Sequence, residues 1–327
     1  MFAGTLRSFP IAIILGFLLL GSSNNPVEEP DEKVESLAFA DDLIWVDTNN
    51  KDEVLAFFES NFDEIAAPVS WTGSHSECEA GVSSQLLRDQ TISRVNFYRA
   101  MAGVPAEITE ESVYSGKAQH GALTMSAQGE LSHEPDETYE CLNDFGKEAA
   151  ANSNLYLGRT GSNAIDGYIE DPGVGNKDVG HRSTVLHPPT LKMGVGHTQG
   201  SENVYESNVL WVFDDNVFQD WPEMREDEQF VAWPPRGFVP QEIVYPRWSF
   251  SLKDGDFSEA TVSMVDDSGQ QIELDIVATV NEIGQVPSPI IVWEPDLSLG
   301  TGTYDIEVSN VETAEGVKDF LYEVTII

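Results

Sequence analysis

Two histidines and two neighbouring carboxylates stand at the ends of predicted helices and offer the ligands of a metal site. His133 follows one predicted helix, Glu170 and Asp171 end another, and His181 opens the short helix that comes next. Imidazole nitrogens and carboxylate oxygens are ligands of zinc and similar divalent cations. Because a histidine at a helix end is more often a cap or a packed core residue, the spacing alone leaves both interpretations open.

Signatures of the common enzyme classes are missing from the sequence. The chain contains no Gly-x-Ser-x-Gly elbow, no Walker loop and no Gly-x-Gly-x-x-Gly turn, so nothing indicates a serine hydrolase, a nucleotide hydrolase or a dehydrogenase. The segment "HEPDE" begins like a zincin helix, but Glu137 stands where the second histidine belongs. Pro135 would also interrupt that helix. We therefore assign no catalytic residue, and a non-enzymatic protein is favoured.

Charge and the N-terminal segment indicate an exported protein. Lys and Arg number 17 against 56 Asp and Glu, a net charge of -39, which disfavours nucleic acid and anionic membranes as partners. Residues 1–23 combine one basic residue, an apolar run and small residues. This pattern predicts a secretory signal peptide, with no stable membrane span after its cleavage. In an oxidising extracellular or periplasmic compartment, Cys78 and Cys141 are expected to form a disulfide.

The hydrophobic pattern divides the rest of the chain into a mixed α+β domain followed by an all-β domain. Helical periodicity is predicted from Ser83 to Gly103, from Thr109 to Gly129, and over 142–151 and 163–170. Short strands are predicted at 192–197 and 208–214 and in many segments after residue 241, where an immunoglobulin-like sandwich is expected. The predicted boundaries are 24–42 for an acidic linker, 43–82 for an N-terminal helical extension, 83–220 for the mixed domain, 221–240 for a Pro- and Trp-rich junction and 241–327 for the β domain.

The remaining polar residues are given structural interpretations. Asn96 and Arg99 lie one turn apart and are predicted to tie the first long helix to a loop. Arg182 either pairs with a buried carboxylate and orients the His181 segment, or is a surface cation. The other histidines are predicted to be packed or half-exposed (His120), structural (His187 and His197) or exposed (His75).

An ordered series of motifs covering residues 91–213 resembles the CAP superfamily, also called SCP/TAPS, in its bacterial secreted form. The motifs are Asn96-Phe-Tyr-Arg99, Gly103, "KAQHGALTMSAQGELSH" ending at His133, "AIDGYIEDPG", Gly180-His181-Arg182 and Met193-Gly-Val-Gly196. The resemblance implies an α-β-α sandwich. Its central cavity would be lined by two histidines and two acidic residues, a set that binds zinc in several members.

Carried over by position, the resemblance gives His133 and His181 as the cavity histidines and Asp171 as one acid, with Glu170 as the alternative. Tyr168 takes the place of a tryptophan and is predicted to lie in the core. The second acid is replaced by Ser153, so a weakened metal site is expected. An insertion, "VGNKDV", lengthens the loop over the cavity, where it alters access or is simply a tolerated surface insertion.

Three functions are compatible with these features. The favoured one is a secreted, non-enzymatic protein that binds an extracellular ligand, a lipid or a surface component at or beside the cavity. A zinc-dependent hydrolase, with Glu170 as general base, is the first alternative, and a lipid- or sterol-binding protein is the second. The tryptophans of the β domain could bind carbohydrate, although a buried core position is favoured for Trp233, Trp248 and Trp293.

Overall fold

The computed structural model of the protein describes residues 45–62, 67–226, 230–284, 286–296 and 299–327. The predicted signal peptide and acidic linker lie outside these residues. The described residues all belong to one compact unit. None of the helices in these ranges combines the length and the hydropathy that a membrane span needs.

The described residues contain six α-helices, and a side chain caps the N-terminus of the first four. The helices are α1 (Lys51–Asn61), α2 (Gln85–Ala102), α3 (Ser112–Gln128), α4 (Asp144–Asn152), α5 (Gly161–Glu170) and α6 (Gly180–Val185). The Ser84 hydroxyl caps α2 by accepting a hydrogen bond from the Leu87 amide, and Gly103 ends the helix in the left-handed region at φ 76. These two residues thus account for the boundaries of α2, which are close to those predicted.

The helix predicted to start at Thr109 starts instead at Ser112. Strand β1 (Thr109–Glu110) pairs in parallel with the segment that begins at Lys192. The Glu111 side chain then caps α3 by accepting from the Val113 amide. The prediction was wrong because the competing strand partner lies far along the chain, beyond the reach of a local pattern.

The mixed domain is an α-β-α sandwich, as expected. Its sheet has the order β1-β3-β4-β2, with β2 (Ser153–Leu157), β3 (Lys192–Thr198) and β4 (Ser207–Trp211). Alternate residues of β4 face opposite layers. Val209 and Trp211 pack in the cluster formed with α3 and α4, whereas Leu210 packs in the cluster formed with α2 and α5.

The C-terminal part is an all-β sandwich of two sheets, which confirms the predicted class. Its strands are β5 (Val231–Trp233), β6 (Gly237–Val239), β7 (Trp248–Ser251), β8 (Thr261–Asp266), β9 (Gln271–Ile272), β10 (Leu274–Val280), β11 (Ile290–Pro295), β12 (Gly302–Thr313) and β13 (Gly316–Ile326). One sheet has the order β10-β11-β7-β5 and the other β6-β13-β12-β8-β9. Trp233, Trp248 and Trp293 are all buried in its core, as favoured over a carbohydrate-binding role.

The two parts share one hydrophobic core. Tyr98 of α2 lies edge-on to Trp233 of β5 with ring centroids 5.2 Å apart, and its hydroxyl is 2.9 Å from that of Tyr245. Strands β5 and β6 fall within the segment assigned to the junction, yet they pair with β7 and β13. The junction therefore contributes strands to the sandwich and packs against the α2 face.

Several single-residue predictions can be compared with their contacts. The predicted disulfide between Cys78 and Cys141 is present. Asn96 exchanges two hydrogen bonds with the Ile108 backbone, which confirms the predicted tie. The buried Arg99 donates to five carbonyl oxygens, which lie in the loop after α2, at the end of α6 and in the segment after α6: those of Pro105, Val185, His187, Pro188 and Thr190.

His75 was predicted to be exposed but is half-buried. Its Nε2 lies 2.8 Å from the Ser126 hydroxyl, and its ring packs 4.7 Å from that of Trp71. Burial lowers the pKa of His75. The polar, glycine-containing sequence around it resembles a free loop, but the disulfide at Cys78 anchors this segment to the loop before α4.

Candidate functional site

A cavity of about 360 Å³ opens where the end of the α-β-α sheet meets the inserted loop and the β sandwich. The residues that line it include His133, Ser153, Asn154, Asp178, His181 and Gly284. The structure thus brings together the two histidines that the resemblance assigned to one cavity. A volume of this size lies at the lower end of the range for small-molecule sites.

The carboxylate of Asp171 orients the His181 ring. This aspartate ends α5 in the left-handed region at φ 51 and is fully buried. Its carboxylate accepts hydrogen bonds from the His181 amide at 2.9 Å, from His181 Nδ1 at 2.8 Å and from the Arg182 amide at 3.3 Å. Because Nδ1 donates to Asp171, the neutral His181 ring carries its lone pair on Nε2.

The helix that carries His181 is held in place by the sheet. Asn154 of β2 donates to the His181 carbonyl at 3.1 Å, and Thr184 donates to the Asn154 side-chain oxygen at 2.9 Å. On the other side, the buried ring of Tyr168 lies 5.3 Å from the His181 ring, so its predicted core position is confirmed. Burial raises the pKa of Tyr168 well above its usual value, so the phenol stays neutral.

His133 is oriented in the same way but is more exposed. It follows α3, and its Nδ1 donates to the Ala150 carbonyl of α4 at 2.8 Å. This hydrogen bond leaves Nε2 as the acceptor nitrogen of the neutral ring. The cavity therefore contains two imidazoles whose tautomers are both set by hydrogen bonds at Nδ1.

The two acidic candidates are placed differently from the histidines. All the hydrogen bonds of the Asp171 carboxylate described above run to α6, and Asp171 is absent from the cavity lining. Glu170 is also absent from the lining, and its carboxylate is 3.4 Å from the Arg159 guanidinium. Ser153 is buried and its Oγ has no hydrogen-bond partner among the described residues. Within the described ranges, no three His, Cys, Asp or Glu side chains converge as a metal-binding group.

One wall of the cavity is the inserted loop, which the β sandwich holds. Arg247 donates to the carbonyl oxygens of Asp171 and Asn176, each at 2.7 Å, and of Gly173 at 2.8 Å. Val179, at a positive φ of 46, is fully buried in a cluster with Val286, Ile290 and Val292 of the sandwich. A β-branched residue in this region of φ is strained, so the docking against the sandwich stabilises the loop conformation.

Arg182 makes the complementary connection from the mixed domain. Its side chain is buried and donates to the carbonyls of Ile169 at 2.7 Å and Arg247 at 3.0 Å, and to the Ser249 hydroxyl at 3.0 Å. Burial lowers its pKa to about 10. Of the two interpretations offered by the sequence, the surface cation is wrong. The guanidinium binds mainly carbonyl oxygens, while the Arg182 amide contributes to orienting the segment.

Sequence reasoning missed three parts of the site. Asp178 lies in the insertion "VGNKDV", which was recognised only as a loop over the cavity. Arg247 and Gly284 belong to the β sandwich, and no sequence pattern connects them with His181. Only the insertion itself signalled that the cavity wall differs from the family pattern.

Comparison with known proteins supports the resemblance. Residues 92–214 match the family model described as "CAP: Cysteine-rich secretory protein family". No curated protein matches the chain. Among solved structures, a selenomethionine form of PcoC, a copper resistance protein from Escherichia coli, matches at 10% identity with a TM-score of 0.24, over 32% of this chain and 100% of that chain. The ordered motifs, the α-β-α sandwich and the family match together show that residues 92–214 form a domain of the CAP superfamily.

Proposed function

We propose that the protein is secreted and acts by binding a ligand in the cavity between His133 and His181, without turning it over. The observation that carries this proposal is the pair of imidazoles, each fixed at Nδ1 by an acceptor and each lining the same cavity. Preorganised acceptor groups favour binding because little ordering is required when the ligand arrives. The signal-peptide pattern supports export, and its segment lies outside the described residues.

A hydrolytic function has weaker support from the geometry. The general base assigned in that alternative is Glu170, which faces Arg159 and does not line the cavity. Asp171 already accepts three hydrogen bonds from α6. The cavity therefore offers no carboxylate of the predicted set for activating water.

A divalent metal fits the imidazoles but not the predicted acids. Histidines that ligate metals usually donate their second ring nitrogen to a carboxylate or a carbonyl, as His181 does to Asp171 and His133 to Ala150. Two neutral imidazoles without a coordinating carboxylate leave the charge of zinc uncompensated. When bound, zinc would hold a further polar ligand in its open positions. We therefore propose weak zinc binding by His133 and His181.

Calorimetric titration with zinc tests the proposed site. We expect a saturable signal of low affinity for the wild type and its loss in His181→Ala. His120→Ala is the matched control because this histidine bonds Asn143 and does not line the cavity. Retention of the full signal in His181→Ala would overturn the assignment. Turnover of a defined substrate, lost when His133 and His181 are both changed to Ala, would overturn the non-enzymatic function.

Introducing the missing carboxylate should strengthen the site. Ser153→Glu places an acid at the first residue of β2, within the cavity lining. We expect zinc affinity to rise by about tenfold or more, since a coordinating carboxylate compensates part of the metal charge. The isosteric but uncharged Ser153→Gln controls for volume and polarity. Equal affinities of the Glu and Gln variants would contradict this expectation.

A further inference from the structure

We propose that the ligand of the cavity is a small organic cation and that Asp178 provides its counter-charge. This inference rests on the proposed binding function and specifies the class of ligand. Asp178 is half-buried in the cavity lining. Its carboxylate forms no ion pair or hydrogen bond with the described residues. A partly buried carboxylate that has no partner among the described residues is poised to bind a charged or hydrogen-bonding donor.

The other polar groups of the lining also favour a donor as ligand. In their neutral forms His133 and His181 each present Nε2 as an acceptor, because Nδ1 is already donating. Among the residues that the structure describes, no Lys or Arg side chain lines the cavity. The amide of Asn154 is occupied by His181 and Thr184. An ammonium group, which donates in three directions and accepts none, matches this arrangement, whereas an anionic ligand meets no cationic partner.

Size distinguishes an organic cation from a metal ion at this position. Asp178, His133 and His181 line one cavity but do not converge as a metal-binding group. A single ion therefore does not reach all three, whereas a chain of several atoms with charged ends does. The volume of about 360 Å³ accommodates such a molecule. The net charge of -39 also raises the local concentration of cations at the surface.

The β sandwich keeps Asp178 in this position. Arg247 binds the carbonyl of Asn176, two residues before Asp178, while Val179, directly after it, is buried against Val286. Arg247 is itself held by Glu294 of β11 at 2.7 Å. The segment is thus fastened on both sides of Asp178 by residues of the sandwich. The sandwich is consequently part of the binding site, and Arg247 is a positioning residue for the carboxylate of Asp178.

A series of four-carbon ligands that differ in charge tests the proposal by calorimetry at fixed ionic strength and neutral pH. The probes are putrescine, a diamine, butanediol, which is uncharged, and succinate, a dianion. Binding of putrescine should be about tenfold tighter than that of butanediol, and succinate should show no binding. Asp178→Asn should weaken putrescine binding by about fivefold, as expected for a partly screened ion pair.

Asp215→Asn is the control for non-specific attraction, since it removes the same charge from an exposed position outside the cavity. It should change putrescine affinity by less than about twofold. Arg247→Gln should weaken putrescine binding and also speed hydrogen exchange in residues 173–178, and the exchange measurement needs no ligand. Equal binding of butanediol and putrescine, or an unchanged affinity in Asp178→Asn, would overturn the proposal.

The two proposals fail in different ways. If zinc binds through His181 but putrescine does not bind, the cavity is a ligand site and the organic-cation class is wrong. If putrescine binds and depends on Asp178 while zinc does not bind, only the metal proposal fails. If neither probe binds, both proposals are overturned.

Discussion

Acidification from pH 7 to pH 5 is expected to lower the free energy of unfolding by about 4 kcal/mol, because two histidines are buried in neutral form. Burial is the main cause that lowers the pKa of His197 to about 3 and that of His187 to about 4. Unfolding returns both rings to a pKa near 6.5. Below that value the unfolded chain binds two protons that the folded protein does not, so stability decreases as the pH falls toward the folded pKa values.

The contacts of His197 explain why its ring resists protonation. Asn208 donates its side-chain amide to Nδ1 at 3.1 Å. On the other side, the Thr91 hydroxyl donates to the Leu87 carbonyl and is therefore an acceptor for His197 Nε2 at 3.2 Å. A proton on Nδ1 would face the amide protons of Asn208. Protonation thus replaces a hydrogen bond by a repulsive contact inside a buried strand.

Urea unfolding at half-unit steps of pH measures this effect. Most surface carboxylates are still ionised above pH 5, so the histidines dominate the slope in this window. Burial also lowers the pKa of His75 and His120, which adds to the loss in the same direction. His187→Gln can still donate to the Val217 carbonyl that Nε2 contacts at 2.9 Å, and it should reduce the loss by about half. A stability that stays constant between pH 7 and pH 5 would contradict the assignment.

The helices and most strands could be predicted because their signals are local. Ser84 and Gly103 mark the ends of α2 as a cap and a left-handed stop. The alternating residues of β4 likewise indicate a strand whose two faces are both covered. The start of α3 was misplaced because Thr109 is removed from the helix by pairing with Lys192. Information about that pairing is contained in the partner strand, not in the helix sequence.

The site could be predicted only in part, for a related reason. Ordered motifs indicated that His133 and His181 share a cavity, and both line it. The carboxylate in the lining, Asp178, lies in an insertion that has no counterpart in the family pattern. Arg247, which fixes that insertion, is carried by a sandwich whose docking depends on three-dimensional packing. Local periodicity contains no information on contacts of this kind.

The β sandwich shares a buried core with the mixed domain, so it is more closely connected to the cavity than a spacer domain would be. A spacer would meet the mixed domain through a small and polar contact. Here the buried rings of Tyr98 and Trp233 are in contact, and the Tyr98 hydroxyl also meets that of the partly buried Tyr245. Arg182 and Arg247 then cross the same boundary in opposite directions. Binding at the cavity and the docking of the sandwich are therefore expected to be coupled.

Replacement of Arg182 by lysine is expected to lower the free energy of unfolding by about 3 kcal/mol, although the charge is retained. The guanidinium reaches acceptors in both parts of the protein, among them the Ile169 carbonyl and the Ser249 hydroxyl. An ammonium group on a lysine chain cannot contact acceptors spread over this distance. Some of these acceptors would lose their donor while remaining buried, and the positive charge of the lysine would be less well compensated than that of the guanidinium.

Urea unfolding of Arg182→Lys, compared with Arg159→Lys, measures this effect. Arg159 pairs with Glu170 of α5 at 3.4 Å, but its side chain is 41% exposed, so its replacement should cost less than about 0.5 kcal/mol. Ser249→Ala removes a single acceptor of Arg182 and should cost about 1 kcal/mol, which keeps the test informative if Arg182→Lys does not fold. Equal stabilities of the two lysine variants would show that the guanidinium does not join the domains. In that case the position of His181 would depend on its contacts with Asp171, Asn154 and Tyr168.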